Sequence, residues 1–397
     1  MEERIAVGMG WSKDPAARKA GGEAARAALA GSGGEADVAF VFSTVDYDAT
    51  ELLAGVNERL GITPVHGGTS FTGIIMPDGF LSSETGVVGV MTLSTPYIMF
   101  GVGYAELGDD AIAAGRAAME MALKGPDVPG GLPDVVLMTA SPGGEEGVIK
   151  GIGQVIGEDV PIIGGSVADN SVEGKWHIFA NKKVMTSGVV VTALFNHLPF
   201  GYAYGSGYRP TEKRAIATKA AGRVVYDLDG KRAVDVYAGW TGQDPKALAG
   251  MSILGASILR PVAVRDAEAN FFLVKHPGIV QPDGSIVLFA EVREGDEIIL
   301  VESSVDELLN EVSATIQQAM DMASLENEDV AALLLVHCGG RRGAIGERIG
   351  EVVGQVERAL GHEVPFISYL TFGEQGSLTS GRNVHCDLLL SALVIGK

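Results

Sequence analysis

The sequence predicts an α/β protein built from repeated βαβ-type units with mixed sheets, arranged in two domains. Three observations predict this class: strand-like apolar runs alternate with Ala-rich amphipathic helices, one order of segments occurs twice in the first half, and a diverged copy follows near the end. Strands that alternate with helices of this length favour parallel pairing through crossovers. Near-continuous apolar strands also indicate a sheet that is covered on both faces.

The first two units correspond segment by segment. Each has a Gly-x-Gly-aromatic group, a helix, an Asp-led strand, a second helix, and a strand that begins at proline and stops at paired glycines. The first unit places these segments at 7–11, 15–29, 37–43, 49–60 and 64–70, and the second at 100–104, 109–123, 134–139, 145–156 and 161–167. The stretches after the glycine pairs look antiparallel, so we expect the sheets to be mixed.

A third unit is more diverged. It has an apolar strand at 330–337, one long helix at 342–360, a strand that starts at Pro365, and a final strand at 385–395. The segment 201–275 between the second and third units breaks the pattern. We therefore expect two domains: residues 1–220, with two internal repeats, and residues 221–397.

Composition excludes several classes of partner. The net charge of −20 repels phosphate backbones and anionic lipid surfaces, so we expect neither nucleic acid nor a membrane as partner. Residues 1–10 lack the features of a secretory signal, and the apolar runs are too short to span a bilayer. Two cysteines are too few for a disulfide framework and suit reduced thiols in the cytoplasm. Composition leaves the oligomeric state open.

The paired glycines supply the first group of candidate ligand contacts. In parallel sheets, ligands bind beyond the carboxyl ends of the strands, where glycine lets backbone N–H groups face an anion and neighbouring hydroxyls add donors. The alternative is a tight strand exit that needs a positive φ. This group consists of His66, Gly67, Gly68, Thr69, Ser70, Gly164, Gly165, Ser166, Asp169 and Asn170.

Three members of the first group carry alternatives of their own. His66 is either a ligand contact, an axial haem ligand or a hydrogen-bonded core histidine. Asp169 and Asn170 are either hydrogen-bonding groups for a ligand or turn formers.

Cys338 is the centre of the second group. Two arginines follow it. They would either lower the pKa of its thiol, so that the thiol could act as a nucleophile, or bind an anion without the thiol. The alternatives are a small buried hydrophobe and an internal pairing of the arginines with Glu374. This group consists of Cys338, Gly339, Arg341, Arg342, Glu374, Arg382 and His385.

Motifs of metal and catalytic sites do not occur. The dipeptides His337-Cys338 and His385-Cys386 lie on predicted strands, where neighbouring side chains point to opposite faces, so we expect no metal site. The sequence has no P-loop, no G-x-S-x-G and no H-E-x-x-H motif. No nucleophilic residue and basic residue lie at the spacing of a known catalytic motif. We therefore assign no catalytic residue and expect binding rather than catalysis.

Longer runs resemble a known family. GITPVHGGTSFTGII at 61–75 and DLDGKRAVDVYAGW at 227–240 resemble the FIST N-terminal domain and the junction after it. HCGGRR at 337–342, YLTFGEQGSL at 369–378 and GRNVHCDLLL at 381–390 resemble the FIST C-terminal domain. The resemblance implies an intracellular sensory domain for a small ligand that acts with a separate signalling protein. Some relatives bind haem, so the resemblance makes haem one candidate cofactor and leaves the cofactor itself unknown.

We therefore expect a small-molecule sensor of the signal-transduction type. Arginines and backbone donors dominate the candidates, so the expected ligand is a small anionic metabolite such as an amino acid. One alternative is a haem-binding gas sensor. Another is a cysteine-dependent enzyme in which Cys338 attacks and His385 is the base, which requires these two side chains to lie within hydrogen-bond reach.

Overall fold

The computed structural model describes residues 5–125 and 131–397. Residues 1–4, which belong to the segment considered for a secretory signal, lie outside the described residues. The described chain forms three α/β units and one inserted segment. The predicted class of repeated units with mixed sheets is confirmed. None of the helices in these residues combines the length and the apolar character that a membrane crossing needs.

The first unit shows how local sequence sets the helix ends. The Asp48 carboxylate accepts hydrogen bonds from the amides of Thr50 and Glu51 at the start of the second helix. That helix ends before Gly61, whose φ is +65°. The unit consists of β1 (Ala6–Ser12), α1 (Ala17–Gly31), β2 (Val38–Ser43), α2 (Ala49–Leu60), β3 (Val65–Thr69), β4 (Ile74–Met76), β5 (Gly79–Leu81) and β6 (Val88–Ser94).

The second unit repeats the same order. Asp110 caps its first helix by accepting a hydrogen bond from the Ala113 amide. The unit consists of β7 (Ile98–Ala105), α3 (Ala111–Ala122), β8 (Val135–Ala140), α4 (Glu145–Ile156), β9 (Ile162–Ser166), β10 (Ile178–Ala180), β11 (Lys183–Met185) and β12 (Val189–Asn196).

The third unit begins with β13 (Phe200–Gly205) and is then interrupted by residues 209–302, which we call the insert. The insert has its own sheet, in the order β18-β17-β21-β14-β15-β20-β19 with β16 beside β15, and its own apolar core around Tyr237. Its elements are β14 (Arg209–Ala221), β15 (Val224–Leu228), β16 (Lys231–Arg232), α5 (Ala233–Thr241), α6 (Pro245–Leu248), α7 (Leu254–Ser257), β17 (Val262–Asp266), β18 (Phe271–Lys275), β19 (Pro277–Val280), β20 (Ile286–Leu288) and β21 (Glu297–Glu302).

The domain boundary expected between residues 220 and 221 falls inside β14. The boundary itself stays a prediction.

The third unit resumes after the insert. A capping box of Ser304 and Glu307 starts its long helix. Its remaining elements are α8 (Val305–Ala323), β22 (Val330–Cys338), α9 (Gly339–Ile345), α10 (Glu351–Leu360), β23 (Phe366–Thr371), β24 (Glu374–Ser377), β25 (Asn383–Cys386) and β26 (Leu390–Gly396), with 3₁₀ turns at Asn327–Asp329 and Gly346–Gly350.

Two element predictions in the third unit were wrong. The single helix expected at 342–360 is two helices, because Gly346 has a φ of +64° that breaks the first one. The single strand expected at 385–395 is two strands, because Leu388 has a φ of +60° and turns the chain between them.

The three units exchange hairpins. The three six-stranded sheets run β1-β6-β2-β3-β10-β11, β7-β12-β8-β9-β24-β25 and β13-β26-β22-β23-β4-β5. In each sheet the two central strands after the helical crossover are parallel and the other pairs are antiparallel. The last two strands of every sheet come from another unit, so no unit completes its own sheet.

Backbone hydrogen bonds close this exchange into a ring at the strand ends. The Ala168 amide donates to the Thr69 carbonyl at 2.9 Å, and the Phe372 amide donates to Ser166 at 3.0 Å. The Phe71 amide donates to the Leu370 carbonyl at 2.9 Å and completes the circle. These three bonds, which we call the strand-end ring, relate the units by an approximate threefold arrangement.

The inner faces of the three sheets meet in one apolar core. Phe40, Leu137 and Leu334 occupy corresponding positions on the central strands and belong to this core. The rings of Phe42 and Tyr369 stack at 3.8 Å between centroids across two sheets. Removing any sheet would expose the inner faces of the other two.

Neighbouring backbones in these sheets approach so closely that one position requires glycine, and this requirement can be tested. A Cβ at Gly67 would lie 1.8 Å from the Val41 carbonyl oxygen, so Gly67→Ala forces two backbones apart. We expect a loss of about 3 kcal/mol in the free energy of unfolding, measured by chemical denaturation. The matched control is Gly239→Ala in α5, where a Cβ meets nothing within 4 Å. Equal stability of the two variants would contradict the requirement.

Candidate functional site

A cavity of about 190 Å³ lies between the insert and the strand-end ring. We call it the junction cavity. The insert lines it with Arg223, Leu254, Ile258, His276 and Phe289, and the three units line it chiefly with Phe71, Glu145, Trp176, Cys338, Phe372 and Asp387.

A larger groove of about 1100 Å³ follows β13 and α8, but exposed side chains such as Arg209, Asp321 and Met322 line it. The junction cavity is the better candidate because buried polar groups border it.

Aromatic side chains form the apolar wall of the junction cavity. The rings of Phe71 and Phe372 lie 5.6 Å apart between centroids, and Trp176 meets Phe372 edge-on at 6.3 Å. Phe289 approaches from the insert, with its ring 5.8 Å from that of His276. Phe71 and Phe372 are also donors in the strand-end ring, so the backbone bonds that close the fold also position this wall.

Polar side chains, including Glu145, Arg223 and Asp387, line one end of the junction cavity, which we call its polar end. Glu145 is the first of them. Its carboxylate is fully buried and accepts hydrogen bonds from the Ser166 hydroxyl at 2.8 Å and from Arg223 of the insert at 2.7 Å. Burial opposes the charged form, but the Arg223 guanidinium holds the pKa of Glu145 below its ordinary value. Arg223 also binds Glu146, so its charge is fully matched by two carboxylates.

His385 lies beside Glu145 with one ring nitrogen that has no partner. Its Nδ1 is 3.1 Å from the Gln375 amide nitrogen, which is a donor, so Nδ1 accepts and Nε2 carries the hydrogen. Nε2 is 3.9 Å from Glu145 Oε1 and 4.0 Å from Asp387 Oδ1, beyond hydrogen-bond distance. It makes no hydrogen bond with any residue that the structure describes.

Asp387 completes the polar end. Its Oδ2 accepts a hydrogen bond from the backbone amide of His276 at 2.9 Å, and burial raises the pKa of Asp387 above its ordinary value. Burial also lowers the pKa of His276 to about 4, so this imidazole is neutral and its Nε2 donates to the Leu254 carbonyl at 2.9 Å. The insert is therefore tied to the polar end by backbone as well as by Arg223.

Cys338 lies in the cavity wall beside a buried acid. Glu374, whose charge would raise the pKa of this thiol, accepts hydrogen bonds from the Thr371 hydroxyl at 2.6 Å and the Leu389 amide at 2.9 Å. Burial raises the pKa of the Cys338 thiol well above its usual value and raises the pKa of Glu374 to about 8. The thiol is therefore protonated at neutral pH.

The expected lowering of the thiol pKa by two arginines was wrong. Arg341 is fully buried and donates to the carbonyls of Ser206 and Leu308. Arg342 donates to the Gly346 carbonyl at 2.9 Å and lies over the Phe80 ring. Both guanidinium groups are thus used by internal acceptors instead of activating Cys338. Glu374 also binds neither of them through a described ion pair.

Cys338 and His385 do not form the pair that the enzyme alternative requires. His385 binds Gln375 through Nδ1 and faces Glu145 and Asp387 with Nε2, and Nε2 makes no hydrogen bond with a described residue. Arg382 lies at the surface, where it forms an ion pair with Asp266. Of the second group of candidates, Cys338 and Gly339 line the junction cavity, Arg382 and His385 border a separate groove, and Glu374 is fully buried.

His66 lies between the sheets, away from the junction cavity. Its Nδ1 is 2.8 Å from the Thr192 hydroxyl and its Nε2 is 2.9 Å from the Thr139 hydroxyl. The void beside it measures about 10 Å³, and burial lowers its pKa to about 3. Both ring nitrogens are engaged, so this arrangement offers none to a haem iron.

The glycine pairs are interior strand residues. Gly67 and Gly68 pair with β2 on one side and β10 on the other, and Gly164 and Gly165 pair with β8 and β24. The backbone donors that we expected to face a ligand are therefore part of the sheets. Gly164 does adopt a φ of +155°, at the limit of the region that favours glycine.

The remaining members of the first group serve chain connections, apart from Ser166. Thr69 accepts from the His177 amide, Ser70 links Gly73 and Leu370, and Ser166 holds Glu145 at the cavity. Asp169 accepts hydrogen bonds from four amides of its own loop. Asn170 accepts from the Thr72 amide at 2.9 Å, which suits the turn-forming alternative.

Several residues of the junction cavity were missed from the sequence. Asp387 carried a signal, because it is a carboxylate directly before a long apolar run, and such a buried charge is expensive unless it is used. Glu145 sits in the first turn of α4, where an acid is ordinary. Trp176, Arg223 and Phe289 carried no local signal. Within the described chain, no cluster of three or more His, Cys, Asp or Glu residues is placed to hold a metal ion.

Comparison with protein families confirms the resemblance. A FIST N domain matches residues 37–231 and a FIST C domain matches residues 233–377. The uncharacterized protein MJ1623 of Methanocaldococcus jannaschii is 27% identical over 176 residues, which cover 41% of this chain and 33% of that protein. The match thus spans only a third of that relative's length.

Solved structures with related arrangements are distant. A cyanuric acid hydrolase from A. caulinodans has a TM-score of 0.40 at 8% identity, and covers 99% of both chains. A second cyanuric acid hydrolase has a TM-score of 0.38 at 10% identity, with the same coverage. PurLQS from Thermotoga maritima has a TM-score of 0.22 at 10% identity and covers 76% of this chain and 73% of its own. Similarity at this level says nothing of activity.

The raised pKa of Glu374 predicts a pH-dependent stability. Between the ordinary pKa of 4.5 and the folded value of about 8, the folded protein holds a proton that the unfolded chain has released. Stability is therefore lost as pH rises through this window. Glu374→Gln keeps a neutral group, so we expect its unfolding free energy to fall less steeply, by about 1 kcal/mol per pH unit, in denaturation from pH 5 to 8.

The control for this experiment is Glu212→Gln, which changes a fully exposed side chain and should follow the wild-type curve. Parallel curves for the wild type and Glu374→Gln would contradict a neutral Glu374.

Proposed function

The chain belongs to the FIST family, whose domains are sensory domains of signal transduction, and from this premise we propose that it senses a small ligand bound in the junction cavity. The observation that carries the proposal is that both the insert and the three units supply walls to one cavity. A ligand there touches both parts at once. Ligand binding would therefore stabilise their closed arrangement relative to any other.

The volume sets the size of the ligand. An apolar protein cavity of roughly 150 Å³ holds one benzene molecule, and the junction cavity measures about 190 Å³. A single-ring molecule with one or two substituents fits this space. A haem is several rings in size, so the haem-binding alternative would need a different site and stays a prediction from the resemblance.

The charges favour a neutral ligand. Arg223 is the arginine of the cavity wall, and Glu145 and Glu146 already bind it. A free carboxylate placed at this end would also face Asp387 without a counter-charge. The sequence led us to expect a small anion such as an amino acid. The arginines that we expected to bind it do not line the cavity. Amino acids are therefore included in the test below, beside neutral compounds.

The state of Cys338 favours binding over catalysis. A cysteine nucleophile needs a thiolate, whereas burial keeps this thiol protonated. Sensing requires no such activation. The output would pass to a separate signalling protein when the insert is held against the three units. The enzyme alternative stays a prediction that the same binding experiments can support by detecting turnover of a ligand.

Filling the cavity tests the site. Leu254→Trp adds bulk to a side chain of the cavity wall, while Met251→Trp adds the same bulk to a nearby side chain that is 55% exposed. Small aromatic compounds and amino acids are screened by thermal shift, and a ligand at 100 times its Kd should stabilise the wild type by about 2.7 kcal/mol.

We expect Met251→Trp to keep this stabilisation and Leu254→Trp to lose it, with circular dichroism showing that both variants fold. Equal stabilisation of the two variants would place the ligand elsewhere. No stabilisation of the wild type by any aromatic compound or amino acid would contradict the proposed function.

A further inference from the structure

A buried lysine without a partner lines a groove apart from the junction cavity. The groove measures about 500 Å³ and lies between α4, β25 and the hairpin of β17 and β18 in the insert. We call it the α4 groove. Lys275 is only 6% exposed, yet its ammonium forms no hydrogen bond or ion pair with any residue that the structure describes. A lysine is rarely buried unless its charge is paired, so this group marks a position where an anion belongs.

The strand geometry aims Lys275 into the α4 groove. Leu273 lies two residues earlier on β18, and residues two apart share one face of a strand. Leu273 and its cross-strand partner Val264 both line the groove. Lys275 Nζ also keeps accessible surface, unlike the enclosed Nε2 of His385. The ammonium therefore ends a row of apolar side chains that faces the same space.

Backbone hydrogen bonds on both sides of Lys275 hold it in place. The Asp387 amide donates to the Val274 carbonyl at 3.1 Å, and the His276 amide donates to Asp387 Oδ2 at 2.9 Å. Burial raises the pKa of Asp387, and the charge of Lys275 opposes that rise, but the two groups form no ion pair. The lysine is thus positioned in advance, while its ammonium stays available to a ligand.

The other charged side chains of the α4 groove are paired or exposed to solvent. Arg382 forms an ion pair with Asp266, and Glu146 is held by Arg223. Solvent and salt screen the exposed charges at the rim, which leaves Lys275 as the charge that selects a ligand in the interior. The charged rim residues, of both signs and wholly or partly exposed, are Arg265, Glu268, Glu291, Arg293 and Asp296.

We propose that the α4 groove binds an aliphatic monocarboxylate whose carboxylate lies at Lys275. The described side chains that line the groove include no aromatic ring, and a second negative charge on the ligand would face the acids of the rim. The inference concerns a site apart from the junction cavity and stands without the proposed function. The chain of the ligand lies along the aliphatic wall formed by Ile149, Val264, Leu273 and Val384.

A matched set of ligands tests the charge and the chain separately. Hexanoate, hexanamide, hexyl phosphate and acetate are titrated into the full-length protein by calorimetry at one ionic strength. Hexanoate should bind at least about tenfold more tightly than hexanamide, because only the carboxylate brings a charge to the ammonium. Acetate should bind at least about tenfold more weakly than hexanoate, because it lacks the apolar chain. Hexyl phosphate should also bind more weakly than hexanoate, because its second charge faces the rim.

Lys275→Met locates the carboxylate. It removes the charge and keeps an unbranched apolar side chain, so the preference for hexanoate over hexanamide should fall to within about threefold. Lys231→Met, at an exposed lysine of the insert, is the matched control and should keep the preference. Leu254→Trp, which fills the junction cavity, should keep it as well.

A second variant decides the question if Lys275→Met does not fold. Ala267→Trp adds bulk at an exposed position of the groove rim and should weaken hexanoate binding at least about tenfold. Ala247→Trp, at an exposed position of α6, is its control and should bind hexanoate as the wild type does. Circular dichroism shows whether each variant folds.

Four outcomes would overturn the inference. They are equal affinities of the wild type for hexanoate and hexanamide, no binding of hexanoate, tighter binding of hexyl phosphate than of hexanoate, and undiminished hexanoate binding in both Lys275→Met and Ala267→Trp. A preference lost in Leu254→Trp but kept in Lys275→Met would place the carboxylate in the junction cavity and would also overturn it.

Discussion

Three backbone hydrogen bonds at the strand ends are the constraint on which the rest of the structure depends. Each bond joins the segment that leaves one unit's strand to a strand end of another unit. The accepting carbonyls are those of Thr69, Ser166 and Leu370. Because every unit contributes its hairpin to the sheet of another unit, no sheet is complete without a second unit. The same residues bring Phe71 and Phe372 to the cavity, so the site is a direct product of the way the units close.

The cavity exists because the three units, although similar, differ from one another. Ala168 occupies the ring position that Phe71 and Phe372 hold in the other units, and Trp176 from the same loop region supplies the aromatic contact instead. The insert interrupts only the third unit and is held by Arg223 and by the His276 amide. The junction cavity therefore forms on one side of the threefold arrangement, where the insert covers it.

The sequence was most informative where structure is local. The spacing of apolar residues and the residues that flank each helix predicted the bounds of α2 and α4 to the residue. The caps and apolar faces of these helices are encoded within a dozen positions. The exchange of hairpins was not predictable, because β3 meets β10 and β9 meets β24 across long stretches of chain. Nothing in the local pattern distinguishes a hairpin that folds back on its own unit from one that joins another.

The candidate site was predicted only where chemistry leaves a mark in the sequence. Cys338 and His385 were recognised as unusual in apolar strands. Cys338 lies in the cavity wall, and His385 is buried beside Glu145. Arg341 has an equally conspicuous charge, yet it serves carbonyls inside the third unit. Residue type alone does not tell a guanidinium that binds a ligand from one that caps backbone groups. That distinction depends on which elements pack around it.

The most direct test of the central claim is a crystal structure of the protein soaked with a small aromatic compound such as toluene. The proposed site predicts density for one ring between Phe289 of the insert and Phe372 of the third unit. Density for the compound in the groove along β13 and α8, with the junction cavity left without it at saturating concentration, would contradict the account.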